Sequence, residues 1–84
     1  MSERIEIWYH GTSGEHAASI RRTGFRIGTH FARTCRAARR YGTHVFAVAL
    51  ASALISEDAE DQLHAAVHIP PSAIRGESST REES

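Results

Sequence analysis

Apolar and polar residues alternate at the start of the chain, with Ile5, Ile7 and Tyr9 on one side and Glu6, Trp8 and His10 on the other. A period of two predicts a β-strand over residues 4–10 that ends on His10. Thr12 and Glu15 read as a capping box, and Ala17 and Ile20 continue an apolar face toward Phe25, which predicts a helix over 13–22 stopped by Gly24. FRIGTHF, residues 25–31, is aromatic and β-branched around a glycine, as in a brief bent strand. In ARTCRAARRYG, Cys35, Ala38 and Tyr41 recur every three residues; this predicts a second helix with Tyr41 on its buried face, ended by Gly42.

HVFAVAL, residues 44–50, is an uninterrupted apolar run of strand length and is expected at the centre of a sheet. SEDAEDQ, 56–62, reads as an acidic connection into a last strand, LHAAVHI, 63–69, which Pro70 and Pro71 terminate. On that strand Gln62, His64, Ala66 and His68 share a face. RGESSTREES, 75–84, has no periodicity and is expected to be a disordered polar tail. Residues 1–74 then form a single α+β domain, in the order strand, helix, strand, helix, strand, strand.

Composition narrows the function classes. With 84 residues, 40% hydrophobic and 24% charged, the chain is one small domain with a thin core, and no apolar run reaches the roughly 20 residues of a membrane helix. A single cysteine, Cys35, cannot form an internal disulfide, and MSERIEIWYHG lacks a basic region followed by an apolar one, so the expected compartment is the cytoplasm. The formal charge is zero but unevenly spread: residues 1–42 hold eight Arg against three acids, and residues 43–84 two Arg against seven acids. The basic half can face an anionic ligand, although solvated surface charge serves solubility as well.

Three stretches taken together resemble the ADP-ribosyltransferase superfamily, in particular its poly(ADP-ribose) polymerase-like branch and small bacterial or phage members. YHGT at 9–12 stands at a strand end where that family carries His-Gly-Thr. GTHFARTCRAARRY at 28–41 is similar to the family's Gly-x-Tyr-Phe-Ala followed by Ala-x-x-Tyr, with His30 in place of the first tyrosine and Tyr41, eleven residues on, at the second. QLHAAVHIPPSAI at 62–74 looks like the family's closing strand, with Gln62 where a catalytic glutamate stands.

The resemblance implies a minimal ADP-ribosyltransferase-like fold, a small split or mixed β-sheet with two short helices. It implies NAD as co-substrate and mono-ADP-ribosyl transfer to a macromolecular acceptor, protein or nucleic acid, as by a toxin or phage effector with an antitoxin as partner; the thin core of so short a chain separately suggests a homodimer. By the same resemblance His10 binds a ribose hydroxyl, Gly11 offers its backbone to the nicotinamide amide, and Tyr41 stacks on the nicotinamide ring with His30 opposite. Thr12 and Phe31 complete the cofactor site, and His10, His30 and Gln62 are the catalytic candidates. Gln62 carries no charge to stabilise an oxocarbenium-like cation, so Glu60, two positions earlier and on the same face if the strand extends back that far, is the substitute acid, while Asp61 points away.

Two other functions stand beside this one: a catalytically degenerate NAD- or ADP-ribose-binding module, and a nucleic-acid binder or RNA 2′-phosphotransferase-like protein using Arg33, Arg36, Arg39 and Arg40. Against the latter stand a neutral chain and the absence of a multiple Arg-His signature. No metal site is expected, because His64 and His68 on one strand lie too far apart to chelate one ion and there is no CxxC. Cys35 reads as a core thiol, and Trp8, on the His10 side of its strand, as a core residue with a wall of the cleft as the alternative.

Overall fold

The computed structural model describes residues 4–59 and 62–79. It holds six strands and two short helices: β1 (Ile5–Thr12), α1 (Gly14–Thr23), β2 (His30–Ala32), α2 (Cys35–Ala38) running into a 3₁₀ turn (Arg39–Tyr41), β3 (His44–Ala51), β4 (Ile55–Ala59), β5 (Gln62–Ala65) and β6 (Ile74–Ser79). The strands form one sheet in the order β4-β5-β2-β1-β3-β6. Every pairing among the described residues is antiparallel, so the sheet is not mixed.

The registers divide the sheet in two. β1 follows β3 over eight consecutive pairs, from Ile5–Ala51 to Thr12–His44. β2 follows β5 instead, through His30–His64, Phe31–Leu63 and Ala32–Gln62. Between the halves a single register pair joins β1 to β2, Tyr9 with Ala32, so beyond Tyr9 the two strands run apart.

The strand alternation in β1 chooses the faces. Trp8 is buried with Phe46, Val48 and Leu50 of β3, Phe31 and Leu63, beneath Ala17 and Ile20 of α1. The opposite face is thinner: Ala32, Ala38 and Val45 pack with Tyr9, Cys35 and Ala37 under α2, while Ile5 and Ile7 stay exposed. Cys35 is a half-buried thiol of this small cluster. Phe46, fully buried, meets Phe25 edge to face at 5.9 Å, and Phe25 meets Phe31 at 5.2 Å, so aromatic edges knit the α1 side.

α1 lies close to its expected bounds, with a different cap. Ser13, not Thr12, takes the N-cap, its hydroxyl accepting from the His16 N–H, because Thr12 is already the buried last residue of β1. At the other end Gly24 has φ 86°, donates to the Ile20 carbonyl and stops the helix. His68 completes that end, donating from Nε2 to the Thr23 carbonyl at 2.7 Å.

Four expectations are corrected. The bent strand at 25–31 shrinks to β2, because Arg26–Thr29 forms a turn on Gly28, φ 91°, and Phe25 contributes an isolated bridge to Ile69. The acidic connection contains β4, which pairs back on β5, and β5 ends at Ala65, so His64 and His68 do not share a strand. β3 is not central: β1 and β2 are, and β3 sits between β1 and β6. Residues 75–79 of the expected tail belong to β6, an edge strand whose polar residues suit a one-sided contact; 80–84 lie outside the described residues. Glu77 ties β6 to α1 through a bidentate pair with Arg21 at 2.7–3.1 Å, which, with His44 beside it, holds the Glu77 carboxyl below its ordinary range.

Phe46→Ala removes the ring at the centre of the α1-side core and is expected to cost about 3–5 kcal/mol. Urea unfolding monitored by circular dichroism checks this, with a lowered midpoint at unchanged slope; a loss below about 1 kcal/mol would place the core elsewhere.

Candidate functional site

Where β1 and β2 separate, a cavity of about 570 Å³ opens, lined by residues of β1, β2, β5 and the α2 turn. Its size falls within the roughly 300–1,000 Å³ of small-molecule sites. His10, Gly11, Thr12, His30, Phe31, Tyr41 and Gln62 all line it, whereas none of Arg33, Arg36, Arg39 and Arg40 does. Glu60 and Asp61 lie outside the described residues.

His10 closes the inner end of the split. Its Nδ1 donates to the His30 carbonyl at 2.8 Å, a side chain bridging two strands whose backbones no longer pair. Its ring centroid lies 5.4 Å from that of Phe25, in an edge-to-face arrangement, and 5.7 Å from that of Phe31, tilted. Burial lowers the His10 pKa below its ordinary 6.5; the bond to the His30 carbonyl opposes that shift and the nearby His30 ring adds to it. The imidazole is therefore neutral at pH 7 with its proton on Nδ1, and Nε2 is left as an acceptor.

Gly11 is required by packing. A Cβ at this position would stand 1.8 Å from the Ala38 carbonyl oxygen, so α2 rests directly on the β1 backbone. Gly42 repeats the arrangement, its absent Cβ falling 2.2 Å from the Thr12 carbonyl oxygen. Together the two glycines press the α2 turn against the end of β1 and set Tyr41 beside the cavity.

Tyr41 departs from expectation. Its side chain is not buried: the residue is 66% exposed. α2 has only four residues before it tightens into the 3₁₀ turn, and Tyr41 falls past the covered part of the sheet, where the cavity takes the place of a core. The Gln62 amide approaches its hydroxyl at 3.5 Å. Gln62 arrives there through its register with Ala32, which is itself opposite Tyr9, so three adjacent strands fix the row.

Trp8 is core and not cavity wall, 2% exposed, with the Arg33 guanidinium over its ring at 5.2 Å. Arg33 also reaches Glu6 at 3.9 Å, so of the four arginines considered for nucleic acid one is engaged elsewhere.

One cluster escaped the sequence. His30 and His64 are direct cross-strand partners, and Asp58 of β4 joins them: the His64 Nδ1 is 2.8 Å and 3.1 Å from the Asp58 carboxylate oxygens, and the His30 Nε2 3.8 Å from Oδ2. Local spacing carries no signal for it, because the three residues come from three strands and meet only through register.

Among the described residues no helix is long and apolar enough to cross a membrane. No family model and no curated protein matches the chain.

The neutral state of His10 gives the fold a pH dependence. Its folded pKa lies below the unfolded 6.5, so the unfolded chain takes up the proton more readily; the contribution is full above pH 6.5 and declines as pH falls below it. Thermal unfolding of wild type is expected to lose stability on acidification below 6.5 more steeply than His10→Gln. Parallel profiles for the two chains would contradict it.

Proposed function

We propose that the cavity binds NAD and that the chain is a mono-ADP-ribosyltransferase of minimal size, built as a small split-sheet member of the ADP-ribosyltransferase superfamily. The observation that carries this reading is the convergence of His10, Tyr41 and Gln62, distant in sequence, on one cavity beside Gly11.

Each group has chemistry suited to the role. The free Nε2 of neutral His10 accepts from a ribose hydroxyl. Tyr41 presents an exposed aromatic ring, the partner a flat nicotinamide needs, and His30 supplies a second ring on the cavity wall. Gly11 has a register partner on β3 and none on β2, which leaves its strand edge next to the split open to an amide. When bound, NAD supplies a glycosidic bond whose leaving group is neutral nicotinamide, and the acceptor nucleophile takes the ribose carbon. Holding ribose and nicotinamide in fixed orientation is the chief contribution these residues make.

Gln62 supports a second reading. Its amide can orient a ribose hydroxyl but has no charge to offset a developing cation, which fits a module that binds NAD or ADP-ribose without cleaving it. The two readings part in one experiment. Under both, millimolar NAD raises the Tm of wild type, and Tyr41→Ala, a surface substitution that leaves the core intact, removes most of the rise. Under the transferase reading, chromatography also detects free nicotinamide, lost in Gln62→Ala. A shift without nicotinamide release makes the chain a binding module; an unmoved Tm with no release overturns both.

A further inference from the structure

We propose that His30, His64 and Asp58 form a binding site for a divalent transition-metal ion, with Zn²⁺ as the reference ion, at the edge of the cavity. The six potential ligand positions on these side chains include one atom from each residue, all within 4.8 Å of one another. A tetrahedral ion bound at about 2.0–2.2 Å to nitrogen and carboxylate oxygen needs its ligands a little over 3 Å apart, so the triad lies within a side-chain adjustment of that geometry.

The backbone holds the set together. His30 and His64 face each other across β2 and β5, ring centroids 6.1 Å apart; on β4 Ser56 is opposite His64, and an irregularity between Glu57 and Ala59 leaves Asp58 out of register with its carboxylate on the His64 ring. Two imidazoles and one carboxylate make a donor set for late first-row ions; Mg²⁺ and Ca²⁺ prefer oxygen alone. The Asp58 carboxylate already stands 2.8 Å from His64 Nδ1, so two of the three donor atoms are in contact. On binding, the ion takes His64 Nδ1 and His30 Nε2, the ring protons reside on His64 Nε2 and His30 Nδ1, and any proton in excess of one per ring leaves to solvent. Three protein ligands leave a fourth position open, and the His30 side chain, 73% exposed, sets it at the surface.

The site has a structural consequence. Among the described residues β4 and β5 are joined to the rest of the sheet through β2 alone, and an ion shared by all three strands clamps them. It also fixes the His30 ring, which lines the cavity.

The test uses the untagged full chain without NAD, so its outcome is independent of the dinucleotide reading. Calorimetric titration with Zn²⁺ is expected to give one ion per chain with micromolar affinity and a raised Tm. Loss of a ligand costs no less than loss of a supporting group, so His64→Ala and Asp58→Asn each weaken binding at least about tenfold. His68→Gln, at the end of α1, leaves it unchanged, and Mg²⁺ does not bind. Circular dichroism establishes that the variants fold. Absence of saturable Zn²⁺ binding, or affinity unaltered in both His64→Ala and Asp58→Asn, overturns the proposal.

Discussion

The structure turns on the parting of β1 from β2. β1 is committed to β3 over its whole length, β2 to β5 over its whole length, and between the two halves one register pair remains. Twisted strands with separate partners diverge, and the divergence would leave backbone groups unpaired at the heart of a thin domain. The His10 imidazole meets that cost by donating to the His30 carbonyl across the gap. The same bond fixes the tautomer of His10, anchors the start of β2, and sets the inner end of the cavity. A structural clasp and a wall of the cavity are here one side chain.

The wall opposite is made by absence. Because Gly11 and Gly42 lack side chains, the α2 turn lies on the β1 backbone and carries Tyr41 to the cavity in place of a buried position. A residue larger than glycine at either site would lift the turn and separate Tyr41 from Gln62, so the spacing of glycines and the spacing of aromatic residues belong to one constraint.

Local pattern announced what local physics builds. The alternation of Ile5 to His10 and the caps around Ala17 stand in the structure close to where periodicity put them, and His10, Gly11, Tyr41 and Gln62 line one cavity. What pattern missed depends on pairing between distant segments. β4 and β6 lie at the edges and carry mostly polar residues, so neither shows the apolar signal of a strand. Tyr41 carries a helical period that says nothing about whether sheet or cavity lies beneath it. Asp58 looked like one acid in an acidic run until the register of β4 on β5 set it beside His64. The histidines divide in the same way: His68 finds a helix end, His44 the Arg21–Glu77 pair, His10 the split, and His30 and His64 each other.

On the dinucleotide reading, the amide of Gln62 and the neutral imidazole of His10 make this a site that grips by hydrogen bonds and stacking, with little charge of its own. Its most direct test is an NMR titration of the full chain with NAD, following backbone amides through ¹H–¹⁵N correlations. The account predicts saturable shifts at Gly11, Tyr41 and Gln62 that titrate with a single affinity. Shifts confined to residues outside the cavity, or none at millimolar NAD, would contradict it.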